Sequence, residues 1–189
     1  MSEEVSINTE EALRHSLASH GIDVSSWGNS GAKTVRDLLL ELSERESFLD
    51  EVDGSLIRVT SNIAVDIFHD GPSGREVLFE EKQVKRGKEK RRPLGASFAE
   101  KIKNDADPET EVWRGFKEEL PQLVDHVADL QIGGEPEIEE GPAYSYPGLT
   151  TRYLRHRYQA TIDDEGYDPN GYITEEQDKT TYFKWKRSE

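Results

Sequence analysis

Cysteine is absent from the 189-residue chain, which removes disulfides, thiol nucleophiles and thiolate metal sites together. Any metal must then be held by oxygen or imidazole ligands. No apolar run approaches the roughly 20 residues that span a bilayer, so no membrane partner is expected. The opening Met1-Ser2-Glu3-Glu4-Val5 is acidic and has neither the basic nor the apolar stretch of a secretory signal. An intracellular, cytoplasmic protein is the expectation. Basic residues are outnumbered: Lys+Arg 24 against Asp+Glu 39 gives a net charge of -15, which disfavours general nucleic-acid binding. With 33% apolar and 33% charged residues, the core is modest and its shell heavily charged.

The patterning reads as α+β. A short helix is predicted over Thr9–His20, with Leu13 and Leu17 at four-residue spacing and Glu10 and Glu11 in its first turn. Thr34 is placed to cap a second helix from Val35 to about Arg45, with Val35, Leu38, Leu39 and Leu42 as its apolar stripe. From Ser55 the period changes to two and continues through Phe68. His69–Gly74 reads as a turn and Glu76–Glu81 as a second strand. A basic run follows, Lys82, Lys85, Arg86, Lys88, Lys90, Arg91 and Arg92.

Asp107-Pro108-Glu109 opens the clearest helix. Aspartate caps it, proline has no N–H to waste in its first turn, and Val112, Phe116 and Leu120 recur at i, i+4, i+8 before Pro121 ends it. Beyond it, Asp129–Ile138 is a strand interrupted at Gly133-Gly134, and 135–147 reads as a loop. Leu149–Ile162 is a long strand, 163–178 a polar loop, and Thr180–Lys186 a closing strand.

Around that helix, Arg114-Gly115-Phe116-Lys117-Glu118-Glu119 resembles the Nudix box, whose helix reads Arg-Glu-aliphatic-any-Glu-Glu and holds divalent cations on its glutamates. Arg114, the bulky Phe116 and the Glu118-Glu119 pair are kept. Glu100 falls where the box glycine belongs, Ala106 and Gly115 stand where glutamates belong, and Pro121 replaces the final glycine. Other segments resemble a Nudix-like subgroup: Gln83 after Glu80-Glu81, then Glu100-Lys101, then Tyr144-Ser145-Tyr146-Pro147-Gly148-Leu149-Thr150 with His156. Upstream, Trp27-Gly28, Ala32-Lys33-Thr34 and Asp37-Leu38 fit its flanks, as does Trp185 near the end.

The resemblance implies a Nudix-type α/β/α sandwich with a mixed sheet, residues 51–189, carrying an N-terminal helical extension, residues 1–50. It implies a hydrolase of a phosphoanhydride, a nucleoside diphosphate linked to another moiety, with Mg2+ or Mn2+ on Glu118 and Glu119. Arg114 would belong to the same catalytic group. Arg86, Arg91, Arg92 and Lys101 would bind the phosphates of a nucleotide-like small molecule. Glu118 and Glu119 are expected to face outward on the face of Gly115, where Gly115→Glu would restore a carboxylate; Asp105, Asp107 or Glu111 could assist the pair. The losses at 106 and 115 equally suit a Nudix-fold binding module without turnover. Arg114 and Glu118 also read as an ordinary i, i+4 surface pair, the basic run as a solvated hairpin, and Asp107 as a helix cap only.

Overall fold

The computed structural model describes residues 3–4, 7–91 and 95–188. In chain order the elements are β1 (Glu3–Glu4), α1 (Glu10–Ser19), α2 (Val35–Ser43), β2 (Phe48–Val52), β3 (Ser55–Gly71), β4 (Gly74–Lys85), β5 (Lys88–Lys90) and β6 (Phe98–Ile102). Then come α3 (Pro108–Glu119), a 3-10 turn (Pro121–His126), β7 (Val127–Ile132), β8 (Glu137–Pro142), β9 (Thr150–Ile162), β10 (Tyr172–Glu175) and β11 (Lys179–Arg187). The class is α+β with a mixed sheet and few helices. Among the described residues, no helix is long and apolar enough to cross a membrane.

All three helices start where their caps require. Thr9 accepts from the Ala12 amide, Thr34 and Asp37 form a reciprocal capping box, and Asp107 accepts from the Thr110 amide with Pro108 at the first helical position. Two hairpins turn on residue pairs with positive φ at both positions, Asp53-Gly54 and Arg86-Gly87. That left-handed pair matches the twist of the strands it joins. Arg86 of the basic run is therefore a turn residue.

The chain forms two compact units. The first comprises residues 1–62, 101–106 and 137–155. It contains α1, α2 and the antiparallel pairings β1–β2, β2–β3 and β8–β9. Its core gathers Leu13, Leu17, Trp27, Leu38, Leu49 and Tyr146. The second comprises residues 63–100, 107–136 and 156–189. There β4 pairs with β3, β5 and β11, β11 with β10, and β7 with β9. In it Phe116 of α3 is fully buried and meets the Phe98 ring edge-on at 5.3 Å. Strands β3, β6 and β9 contribute residues to both units.

The strands differ from the sequence expectation in several places, β1 being unforeseen and β4 longer at both ends. β3 runs on through His69-Asp70-Gly71, so the turn shrinks to Pro72-Ser73. β2 was not anticipated. The expected loops at 135–147 and 163–178 contain β8 and β10. Three of the six residues of β8 are glutamates and its one large apolar residue, Ile138, is exposed, so it has no buried face. It pairs with arginine-rich β9, Glu140 accepting from Arg152 at 2.5 Å and Glu137 lying 3.9 Å from Arg155.

Candidate functional site

Helical spacing divides the residues of α3 between two environments. Glu118 lies four positions after Arg114, and both face outward: Arg114 Nη1 donates to the two Glu118 carboxylate oxygens at 2.9 and 2.8 Å, and its Nε to Glu111 at 2.7 Å. Glu119 lies four positions after Gly115, and both are buried. An outward Glu119 is thus corrected: its carboxylate accepts from Lys179 Nζ at 3.0 Å, and its carbonyl from the Thr174 hydroxyl at 2.5 Å. Gly115 is corrected too. A Cβ there would come within 2.6 Å of the Phe98 ring, so this position packs the core and presents nothing to a ligand. Asp107 accepts from Thr110 as a cap, Glu111 is held by Arg114, and Asp105 is bound by Arg45.

Glu100, read from the sequence as a departure from the box and as part of Glu100-Lys101, had no site role there. From β6 it reaches Glu119 closely enough to share a hydrogen bond, and its carboxyl is pushed up to about 7. Burial is the main cause, followed by the charge of Glu119 and the shared hydrogen bond. Arg114 opposes the shift, and Glu118 adds to it. Two carboxylates this close need a proton or a cation between them. Lys179, which also binds Glu176 at 2.6 Å, answers one side of Glu119.

The sheet beneath Glu119 is polar where cores are usually apolar. Glu80 is buried and accepts from Gln83 Nε2 at 3.1 Å. A register shift in the β4–β11 pairing near Glu81 turns Gln83 to the face of Glu80, opposite Thr181. Thr181 pairs with Gln83 on one side and Thr174 on the other, is fully buried, and its hydroxyl has no hydrogen-bond partner. Glu80, not its neighbour Glu81, is thus the buried acid before Gln83.

Lys101 follows Glu100 on β6, so its side chain takes the opposite face. It binds Glu46 at 2.8 Å and Glu41 at 3.4 Å. Buried Glu41 also accepts from Lys33 Nζ at 2.7 Å, Arg58 Nη2 at 2.6 Å and the Tyr146 hydroxyl at 3.0 Å. Burial pushes the Glu41 carboxyl up, but the Lys33 and Arg58 contacts and the charge of Lys101 outweigh it and hold the pKa at about 2. Trp27 joins the group, its ring against Tyr146 and its Nε1 donating to the Pro147 carbonyl at 2.9 Å. Trp27, Lys33, Lys101 and Tyr146, each from one of the segments that resemble the subgroup, therefore meet around Glu41 in the first unit.

Within the basic run, Lys82 and Arg91 share Glu89, and Lys85 and Arg86 share Asp178. Lys88 and Lys90 are exposed on β5. Arg92 lies outside the described residues. His156 on β9 has its pKa lowered by burial alone.

No family model matches this chain, and neither does any curated protein. Among solved structures the chain is similar to the Ap4A hydrolase of C. elegans, at 14% identity over 67% of this chain and 79% of that one, with a TM-score of 0.33. A likeness at this level does not carry an activity over to this chain.

Proposed function

We propose that the protein is a Nudix-like hydrolase of a phosphoanhydride, built around the carboxylate pair Glu100–Glu119. The single observation that carries the reading is that pair, two acids within hydrogen-bonding reach in a partly buried setting. A divalent cation fits it. Among the described residues no three Asp, Glu or His side chains are grouped as a ready metal site, but magnesium needs only one or two carboxylates, with waters and substrate phosphate completing its shell. Glu119, with Glu118 reached by release of Arg114, would hold Mg2+ or Mn2+. A bound cation of this kind neutralises phosphate charge and acidifies a water.

The chain's own residues have definable tasks. Glu100, left outside the cation's shell, is placed to accept the proton of the attacking water. Water oxygen bonds to one phosphorus, the bridging P–O bond breaks, and the bridging oxygen leaves on the other phosphate. Arg114 and the cations Lys88, Lys90 and Arg91 suit the phosphate oxygens, arginine by bidentate contact.

A second reading, a binding module without turnover, is favoured by Lys179 occupying Glu119. Thermal melts in millimolar Mg2+ and Mn2+, paired with hydrolysis assays on dinucleoside polyphosphates and nucleoside-diphosphate conjugates, test both. The hydrolase reading expects a metal-dependent rise in melting temperature that Glu119→Gln removes, since native-state binding stabilises by mass action, and turnover that Glu100→Gln abolishes. Ligand binding with neither metal shift nor turnover establishes the module.

A further inference from the structure

The folded chain already sets a cation of its own against Glu119. Lys179 Nζ lies 3.0 Å from the Glu119 carboxylate and 2.6 Å from that of Glu176. We propose that Lys179 is a latch on the carboxylate site, an internal competitor that swings from Glu119 to Glu176 alone when a divalent cation binds. The inference rests on the hydrolase reading above and adds a control to it. An ammonium and a divalent ion on one largely buried carboxylate would bring like charges into contact where water screens them least. Loading Glu119 is therefore an exchange of one cation for another. The affinity of the site for metal is then lower than its own carboxylates would give, and it is set by residues that never touch the ion.

Of the two partners, the lysine is the one built to move. Glu119 ends α3, is buried, and has its carbonyl held by the Thr174 hydroxyl, so its carboxylate stays where the helix puts it. Lys179 opens β11 and carries its charge on a flexible four-carbon stem. Its second partner is already in place. The Glu176 amide donates to the Lys179 carbonyl at 2.7 Å across the β10–β11 turn, which keeps Glu176 beside the lysine. The Glu176 side chain is 40% exposed, against 10% for Glu119. An ammonium that leaves Glu119 thus keeps a counter-charge, and keeps it on the wetter side. A lysine serving only to neutralise Glu119 would need no second acid.

Calorimetric titration of the full chain with Mn2+ alone tests the latch, with melting temperatures taken without metal to establish that each variant is folded. Lys179→Met is expected to tighten Mn2+ about tenfold (about 1.4 kcal/mol). Glu176→Gln, which confines the ammonium to Glu119, is expected to weaken it about threefold, the scale of a half-exposed ion pair. Lys184→Met removes the same charge from an exposed lysine whose Nζ donates to the Asn170 carbonyl, and is expected to change nothing. Adding Glu119→Gln to Lys179→Met should erase the gain. Equal affinity in wild type and Lys179→Met overturns the latch and leaves the hydrolase reading standing, and so does an equal gain in Lys184→Met, which is net charge alone. Should Lys179→Met not fold, an unchanged affinity in Glu176→Gln overturns the latch in its place. No binding by wild type or by folded Lys179→Met overturns both readings, because Glu119 then takes no cation even when free.

Discussion

Two glutamates show how neighbours decide what one side chain does. Glu100 has its carboxyl raised from an ordinary 4.5 to about 7, so between those values the folded chain holds a proton that the unfolded chain has released. Stability therefore falls as pH rises from about 4.5 to 7 and levels off above. Glu100→Gln, which can still donate to Glu119, is expected to flatten that slope; urea melts at several pH values in this window measure it. Glu41 runs the other way. Its carboxyl is held at about 2 against an ordinary 4.5, so its contribution is complete above about 4.5 and is lost as pH falls towards 2. Glu41→Gln leaves the buried Arg58 guanidinium without its anion, and removing one partner of such a pair costs about 3–5 kcal/mol. A loss under about 1 kcal/mol in denaturant would mean that Lys33, Arg58 and Lys101 do not depend on Glu41.

Helix α3 was legible in the sequence because every local signal agreed: an aspartate cap, a proline at the first position, and an apolar row through Val112 and Phe116. The same row did not reveal which acids were buried, since that depends on Phe98 and Lys179, contacts remote in sequence. Hence Glu118 and Glu119 looked alike and are not. Gly115→Ala decides how tight this helix sits. In an exposed helix it would gain about 1 kcal/mol, but here the new methyl meets Phe98 at 2.6 Å. A loss of about 1–3 kcal/mol from overpacking is expected, and a larger one for Gly115→Glu, which buries a charge as well. Net stabilisation by Gly115→Ala in calorimetry would place Phe98 elsewhere. Strand β8 was illegible for the opposite reason: Glu137, Glu139 and Glu140 lack a buried face, and the strand is held by its backbone ladder with β9, beside Arg152 and Arg155.

Across the whole chain, charge acts with two signs, and salt separates them. The excess of 15 acidic groups repels itself most in the folded state, where the groups are closest. Exposed ion pairs such as Arg14–Glu10 and Arg155–Glu139 pull the other way, but each contributes at most about 1 kcal/mol and is screened by the same ions. With so large an excess of one sign, repulsion wins. Raising ionic strength from about 0.05 to about 0.5 M, which shortens the screening length well below 10 Å, is expected to raise the melting temperature by about 2–4 °C, or roughly 1 kcal/mol. The β4–β5 hairpin is a local exception, because Lys82, Lys85, Arg86, Lys88, Lys90 and Arg91 have only Glu89 and Asp178 paired against them among the described residues. A ligand carrying a diphosphate and held there must weaken over the same salt range, and more gently after Lys88→Glu with Lys90→Glu. Calorimetric titration at both salt concentrations, beside the melts, reads the two signs on one sample. Binding that strengthens with salt, or ignores the hairpin reversal, would remove the basic run from any phosphate role and leave it a solvated turn.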